Sequence, residues 1–140
     1  MSKFQDLVDE ICSKDARYKP EAYEFVLQGL TFTQKKLKKL NLHNAKHPTG
    51  QAHVSGGQLA FGLRDFAINQ YGALAPQVLA HWGINQTEDF GNIVFSLIDK
   101  KLLAKTENDS LADFVLVYDF KEAFADVLAS SMIEELENKR

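Results

Sequence analysis

Residues Thr87 to Phe120 read TEDFGNIVFSLIDKKLLAKTENDSLADFVLVYDF. Phe90, Ile93, Val94, Leu97 and Ile98 recur at helical spacing and predict a helix from Thr87 to Lys101. Thr87 followed by Glu88 and Asp89 suits an N-cap with acids in the first turn, where the helix dipole favours them. After Leu103 the period shifts towards two. Asn108, Asp109 and Ser110 supply turn chemistry. Phe114 to Tyr118 is a β-branched and aromatic run, as a strand requires. The expectation is a helix followed by a two-stranded hairpin, LLAKT paired with FVLVYDF.

Upstream, Ser55 with Gln58 three residues on matches the capping-box pattern and opens a helix that runs to Gly72. Its inward face carries Leu59, Leu63, Phe66 and Ala67. A short run from Ala75 to Trp82 stops at Gly83. Three helices and a hairpin, in that order, are the layout of a winged helix-turn-helix. The expected fold is therefore mostly α with a small β-hairpin (α+β): a winged-helix-like core over 53–120, flanked by N- and C-terminal helices.

The flanks are helical by the same criterion. Phe4, Leu7, Val8, Ile11 and Cys12 form one apolar face. Pro20 suits the first turn of a second helix, whose stripe is Tyr23, Val26, Leu27, Leu30, Leu37 and Leu40. Gly29 inside it costs about 1 kcal/mol relative to alanine, which points to a close helix contact there. Asn41 to Val54 lacks apolar periodicity and reads as a loop. Phe120, Ala123, Phe124, Val127 and Leu128 begin the C-terminal helix, continued by Met132, Ile133 and Leu136.

The chain of 140 residues is expected to be one domain, with 1–42 as N-terminal helices and 121–140 as the C-terminal one. Its 45% hydrophobic and 25% charged residues match a globular average. No apolar run approaches the roughly 20 residues that span a bilayer, so no membrane association is expected. MSKFQDLVDEICSK places acids inside its apolar run, unlike a signal peptide. The single cysteine, Cys12, excludes an internal disulfide and fits a cytoplasmic setting.

The net charge of −3 is unevenly spread. Gln34 to His53 holds Lys35, Lys36, Lys38, Lys39 and Lys46 and no acid, whereas Glu107 to Glu137 holds nine acids and one lysine. On a winged helix that reads DNA, the third helix and the wing meet phosphates. Here those elements carry Glu88, Asp89, Asp99, Glu107, Asp109 and Asp113, which phosphates repel. Nucleic-acid contact would need the separate lysine cluster.

No catalytic constellation stands out. His43 and His47 are four apart and His53 is near, but the glutamate of a metalloprotease motif is absent, and no cofactor is expected. Cys12 lies on an apolar face, the usual place for an inert thiol. HVSGG superficially resembles an anion-cradling turn, yet Ser55 is already explained as a cap. Asp99, Asp109, Asp113 and Asp119 miss the calcium-loop spacing. Trp82, beside Gly83, reads as corner packing or as an anchor for a partner.

RYKPEAYEFVLQGL (Arg17 to Leu30), HVSGGQLAFGLRDFAINQYG (His53 to Gly72), VLAHWGINQTEDFGNIVFSLIDKKLLAKTENDS (Val78 to Ser110) and DFVLVYDFKEAF (Asp113 to Phe124) resemble an uncharacterised bacterial family known mainly from planctomycetes and verrucomicrobia. The resemblance covers nearly the whole chain. That family has no assigned activity, so the resemblance implies no catalytic residue, substrate or cofactor. The expectation for function is a small non-enzymatic protein-interaction module that docks a protein partner through Trp82, Glu88 and Asn92. The alternative is a nucleic-acid-associated regulator that uses Lys35, Lys36, Lys38, Lys39 and Lys46.

Overall fold

A computed structural model describes residues 3–43, 54–104 and 110–125, with 40–43 given by backbone alone. Among the described residues the elements are α1 (Lys3–Lys14), α2 (Pro20–His43), α3 (Gly56–Tyr71), a 3₁₀ turn (Gly72–Leu74), α4 (Ala75–His81), α5 (Thr87–Asp99), a second 3₁₀ turn (Leu111–Phe114) and α6 (Phe120–Ala123).

Helices α2, α3 and α5 make the centre. Tyr23 and Val26 of α2, Ala60 and Leu63 of α3, and Phe90, Ile93 and Leu97 of α5 are all fully buried together. Helices α2 and α3 approach closely because each presents a glycine to the other. A Cβ on Gly29 would collide with the Leu63 side chain, and one on Gly62 would collide with Thr33. Thr33 is buried there, and its hydroxyl donates to the Gly29 carbonyl at 2.7 Å. The helix contact expected at Gly29 is thus present. Helix α1 lays Val8 and Ile11 against this centre.

Helix α3 begins as the sequence predicts. The Ser55 hydroxyl accepts from Gln58 N at 3.1 Å, and the Gln58 side chain accepts from Ser55 N at 3.0 Å. Helix α4 ends at a glycine turn. Gly83 has φ +95°, Gly83 N–H donates to the Ala80 carbonyl and Ile84 N–H to the Leu79 carbonyl. This is the two-bond Schellman closure of a helix C-terminus.

The N-terminal helices and α5 are joined by the link between α1 and α2. Lys19 N–H donates to the Trp82 carbonyl at 3.1 Å. The Tyr18 hydroxyl donates to Asp89 Oδ1 at 2.6 Å and accepts from Asn92 Nδ2 at 3.0 Å. Helix α5 starts one residue away from the sequence expectation: Gln86 is the N-cap, and the Asp89 carboxylate accepts from Gln86 N and Asn85 N. Thr87 is buried and turned inward instead.

The hairpin expected over Leu102 to Phe120 does not form, and the winged-helix reading falls with it. The described residues contain no strand. Ser110 N donates to the Asp113 carboxylate at 3.0 Å and opens a 3₁₀ turn that ends at Phe114. The Phe114 ring then enters a slot between α3 and α5. A Cβ on Gly91 would lie 2.9 Å from Phe114 Cδ2, and one on Gly56 would lie 3.2 Å from Phe114 Cε2. The backbone groups that a strand would offer to a partner are taken by a side chain. The Thr87 hydroxyl donates to the Phe114 carbonyl at 2.6 Å and accepts from Val117 N at 3.2 Å. Leu116 adopts φ +49°, which breaks any extended run through the segment. Residues 105–109, which would carry the hairpin tip, lie outside the described residues.

Tyr118 closes the far side of this segment, its hydroxyl donating to the Ala60 carbonyl at 2.6 Å. Asp119 caps α6 by accepting from Lys121 N and Glu122 N. Beyond 125, the rest of the expected C-terminal helix lies outside the described residues.

Candidate protein-docking face

With Phe114 drawn in and its neighbours held by Thr87, the chain must turn back on itself at 115–117. The residues at that apex point outward. Val115 is 51% exposed and Leu116 is 82% exposed, and Leu111 at the start of the same 3₁₀ turn is 50% exposed. Leu116 also sits in the left-handed region, at φ +49°, where a non-glycine residue costs roughly 1 kcal/mol. An apolar side chain that is both strained and in water gains nothing visible from the fold around it.

The rim of this ridge is acidic. Glu88 Oε1 lies 3.4 Å from Leu116 N. Asp113, Asp119 and Glu122 are exposed on the same segment, with Lys121 as the one cation between Leu111 and Ala125. Beside the ridge, a groove of about 470 Å³ runs between the end of α1 and α5, with Asn92, Ser96 and Asp99 on one wall, Lys14 and Arg17 on the other, and Leu111 at its edge. Groove and ridge are therefore continuous through Leu111.

The three cations that line the groove share two acids, with Lys14 and Lys100 both on Glu10 and Arg17 on Asp15. Arg17 donates to the Asp15 carboxylate from Nε at 3.0 Å and from Nη2 at 2.8 Å, and Lys100 pairs with Glu10 at 2.8 Å. The Arg17 hydrogen bonds hold the Asp15 carboxyl below its usual range, and those of Lys100 do the same for Glu10. Burial, aided by the bond to Asp89, pushes the Tyr18 phenol up to about 12.

The three anchors expected from sequence face three different neighbours. Trp82 is half-buried, 5.6 Å from the Phe25 ring and 5.8 Å from the Tyr71 ring between centroids. Glu88 turns towards Leu116, and Asn92 towards Tyr18 and the groove. Glu88 and Asn92 thus border the ridge and groove, while Trp82 belongs to the packing of α2, α3 and α4.

Lys35, Lys36, Lys38 and Lys39 are exposed along α2. Lys36 is tied to Asp65 at 2.9 Å and stands 5.4 Å from the Phe32 ring centroid. Burial pushes the Asp65 carboxyl up, but hydrogen bonds from Lys36 and Arg64 outweigh it and hold the group below its ordinary value. Lys46, His47 and His53, and the side chain of His43, lie outside the described residues. Among the described residues no cluster of three histidine, cysteine or acidic side chains is arranged to hold a metal ion. Cys12 is part-buried with its Sγ 3.7 Å from the Tyr18 carbonyl, and burial raises its thiol. The start of α3 is covered by Asp113 and Phe114, which pack against Gly56. No described helix is long and apolar enough to cross a membrane.

Leu111, Val115 and Leu116 were not singled out by sequence reasoning. One signal was present: Ser110 with Asp113 three residues on has the spacing of a capping box, which argues for a helical turn rather than a hairpin loop. Comparison with protein-family models, with curated proteins and with solved structures finds no match to the chain.

Proposed function

We propose that the chain is a non-enzymatic protein-docking module whose partner seats on the ridge Leu111, Val115 and Leu116 and the adjoining face of α5. The observation that carries this reading is Leu116. Backbone strain in a well-packed chain persists where the residue serves something other than stability. A leucine held out in water at a left-handed position carries conformational strain and buries little surface in return. Covering that surface with a partner recovers the apolar burial, at about 25 cal/mol for each Å² removed from water.

The test compares tagged wild-type protein with Leu116→Asn in pull-downs from lysate, with and without nuclease. Asparagine tolerates the left-handed region and removes the apolar side chain. Leu74, 63% exposed on the turn between α3 and α4, supplies the control Leu74→Asn. A protein retained by wild type and by Leu74→Asn, lost with Leu116→Asn and indifferent to nuclease supports the docking face. Recovery that disappears with nuclease and is unaffected by Leu116→Asn overturns it in favour of Lys35, Lys38 and Lys39, which share one side of α2 at helical spacing.

A further inference from the structure

We infer that the segment which docks on this ridge is a basic, amphipathic stretch of a partner protein. This rests on the docking reading above and adds the chemistry of the occupant.

The first ground is the sign of the rim. Glu88 touches the Leu116 amide, Asp113 lies two residues before Val115, and Asp119 three residues after Leu116. At 3.8 Å between successive Cα atoms, the Asp119 backbone is within about 11 Å of that of Leu116. Glu122 adds a fourth carboxylate one turn further on, against the single cation Lys121. Two of these acids are held in place by structural tasks: Asp113 accepts from Ser110 N, and Asp119 caps α6. A partner that brings apolar side chains to Leu116 must bring them through this field. Lysines and arginines beside those side chains turn the field from an obstacle into a guide for association.

The same field selects against other partners. Phosphates of nucleic acid are repelled, since binding through them requires cations on the docking face. Anionic lipid headgroups are repelled for the same reason. The second ground is the shape of the face. A narrow ridge of three aliphatic side chains, continuous with a polar groove through Leu111, fits one strip of alternating apolar and polar contacts better than a broad flat surface. An amphipathic segment presents its anchors as such a strip.

The experiment is selection of random peptides displayed on phage against the immobilised full chain. Binding of the selected peptides is then measured by fluorescence anisotropy to wild type, Leu116→Asn and Glu122→Lys across a salt series. The Glu122 side chain makes no hydrogen bond with other described residues, so reversing its charge tests the field without removing a cap. The expected result is peptides with lysine or arginine beside leucine, isoleucine or phenylalanine. Their affinity falls on the order of tenfold with Leu116→Asn. It falls again with Glu122→Lys and with added salt. The folding stability of Leu116→Asn should rise as its binding falls, which separates a lost contact from a damaged fold.

Peptides that are neutral or acidic but still lose affinity with Leu116→Asn would overturn the basic partner and leave the docking face standing. Peptides that bind Leu116→Asn as tightly as wild type, or a selection that enriches none, would overturn both. Self-association in sedimentation that disappears with Leu116→Asn would show that the occupant is a second copy, and would overturn the partner proposed here.

Discussion

The hydroxyl of Thr87 and the carbonyl of Phe114 meet at 2.6 Å, 27 positions apart in sequence and both out of water. The same hydroxyl receives Val117 N at 3.2 Å, so one side chain takes up two backbone groups of an irregular segment. Replacing it by the near-isosteric valine leaves both groups unpaired beside the core. Thr87→Val should lower stability by about 2 kcal/mol or more, since each of the two orphans costs roughly 1–3 kcal/mol and Val117 N, only part-buried, falls at the low end. Thr87→Ser keeps the hydroxyl and should lose less. Urea unfolding of the three proteins decides it. Equal stability of Thr87→Val and wild type would remove Thr87 as the pin of the segment.

The crossing of α2 and α3 gives a second test. Gly62 faces Thr33, and Thr33 is buried with its hydroxyl already bound to Gly29. Gly62→Ala should destabilise by about 1–3 kcal/mol even though alanine is the better helix former, because the added methyl overpacks the crossing. Thr33→Ala on its own removes a hydroxyl and a methyl. The double variant should be more stable than the sum of the two changes implies, as expected for residues in contact. Gly57 is the control, because a Cβ added there would meet nothing within 4 Å. Gly57→Ala should be neutral or stabilising.

Tyrosine ionisation should betray the joint between the N-terminal helices and α5. Burial and the hydrogen bond to Asp89 lift the Tyr18 phenol to about 12, and burial also raises Tyr23 and Tyr118. An unfolded tyrosine ionises near 10. Between these values the folded chain holds protons that the unfolded chain has released, so stability must fall as pH rises. The Tyr18 contribution is complete below about pH 10 and is lost as pH climbs towards about 12. Absorbance titration should therefore show delayed ionisation of these phenols, ending in alkaline unfolding. Tyr18→Phe should lower stability at neutral pH, by loss of the bonds to Asp89 and Asn92, and flatten the alkaline limb. An unchanged alkaline limb in Tyr18→Phe would disprove its share.

What sequence reveals here divides along the range of the interactions. The helix starts and stops that depend on two or three neighbouring residues were legible. Ser55 with Gln58 and the glycine at 83 are examples, and Gly29 pointed to a close helix contact, whose partner in the structure is α3. The segment from Leu102 to Phe120 was misread because its local composition favours a strand, while its conformation is set from elsewhere. Phe114 is seated by the glycines at 56 and 91, and the backbone is satisfied by Thr87. Tertiary context overrides β propensity in that way. The exposed apolar ridge was illegible for the same reason: Val115 and Leu116 turn outward where Phe114 is drawn in. That Glu88 and Asn92 lie off the buried stripe of α5 was legible from periodicity, since Phe90, Ile93, Val94 and Leu97 take up that stripe.

Two successive helices end with the same hydrogen-bond pattern and opposite residue choices, which yields the last prediction. At the end of α4 the left-handed position is Gly83, with Gly83 N–H to Ala80 and Ile84 N–H to Leu79. At the end of α5 it is Lys101, at φ +60°, with Lys101 N–H to Ile98 and Leu102 N–H to Leu97. Glycine carries no Cβ penalty there, whereas lysine does. Lys101→Gly should therefore stabilise the chain by up to about 1 kcal/mol. Gly83→Ala should do the reverse and by more, because its methyl would also collide with the Arg17 carbonyl that threads past the turn. Thermal unfolding of the two variants should shift the midpoint in opposite directions. A destabilising Lys101→Gly would mean that the lysine side chain contributes at that turn beyond closing the helix.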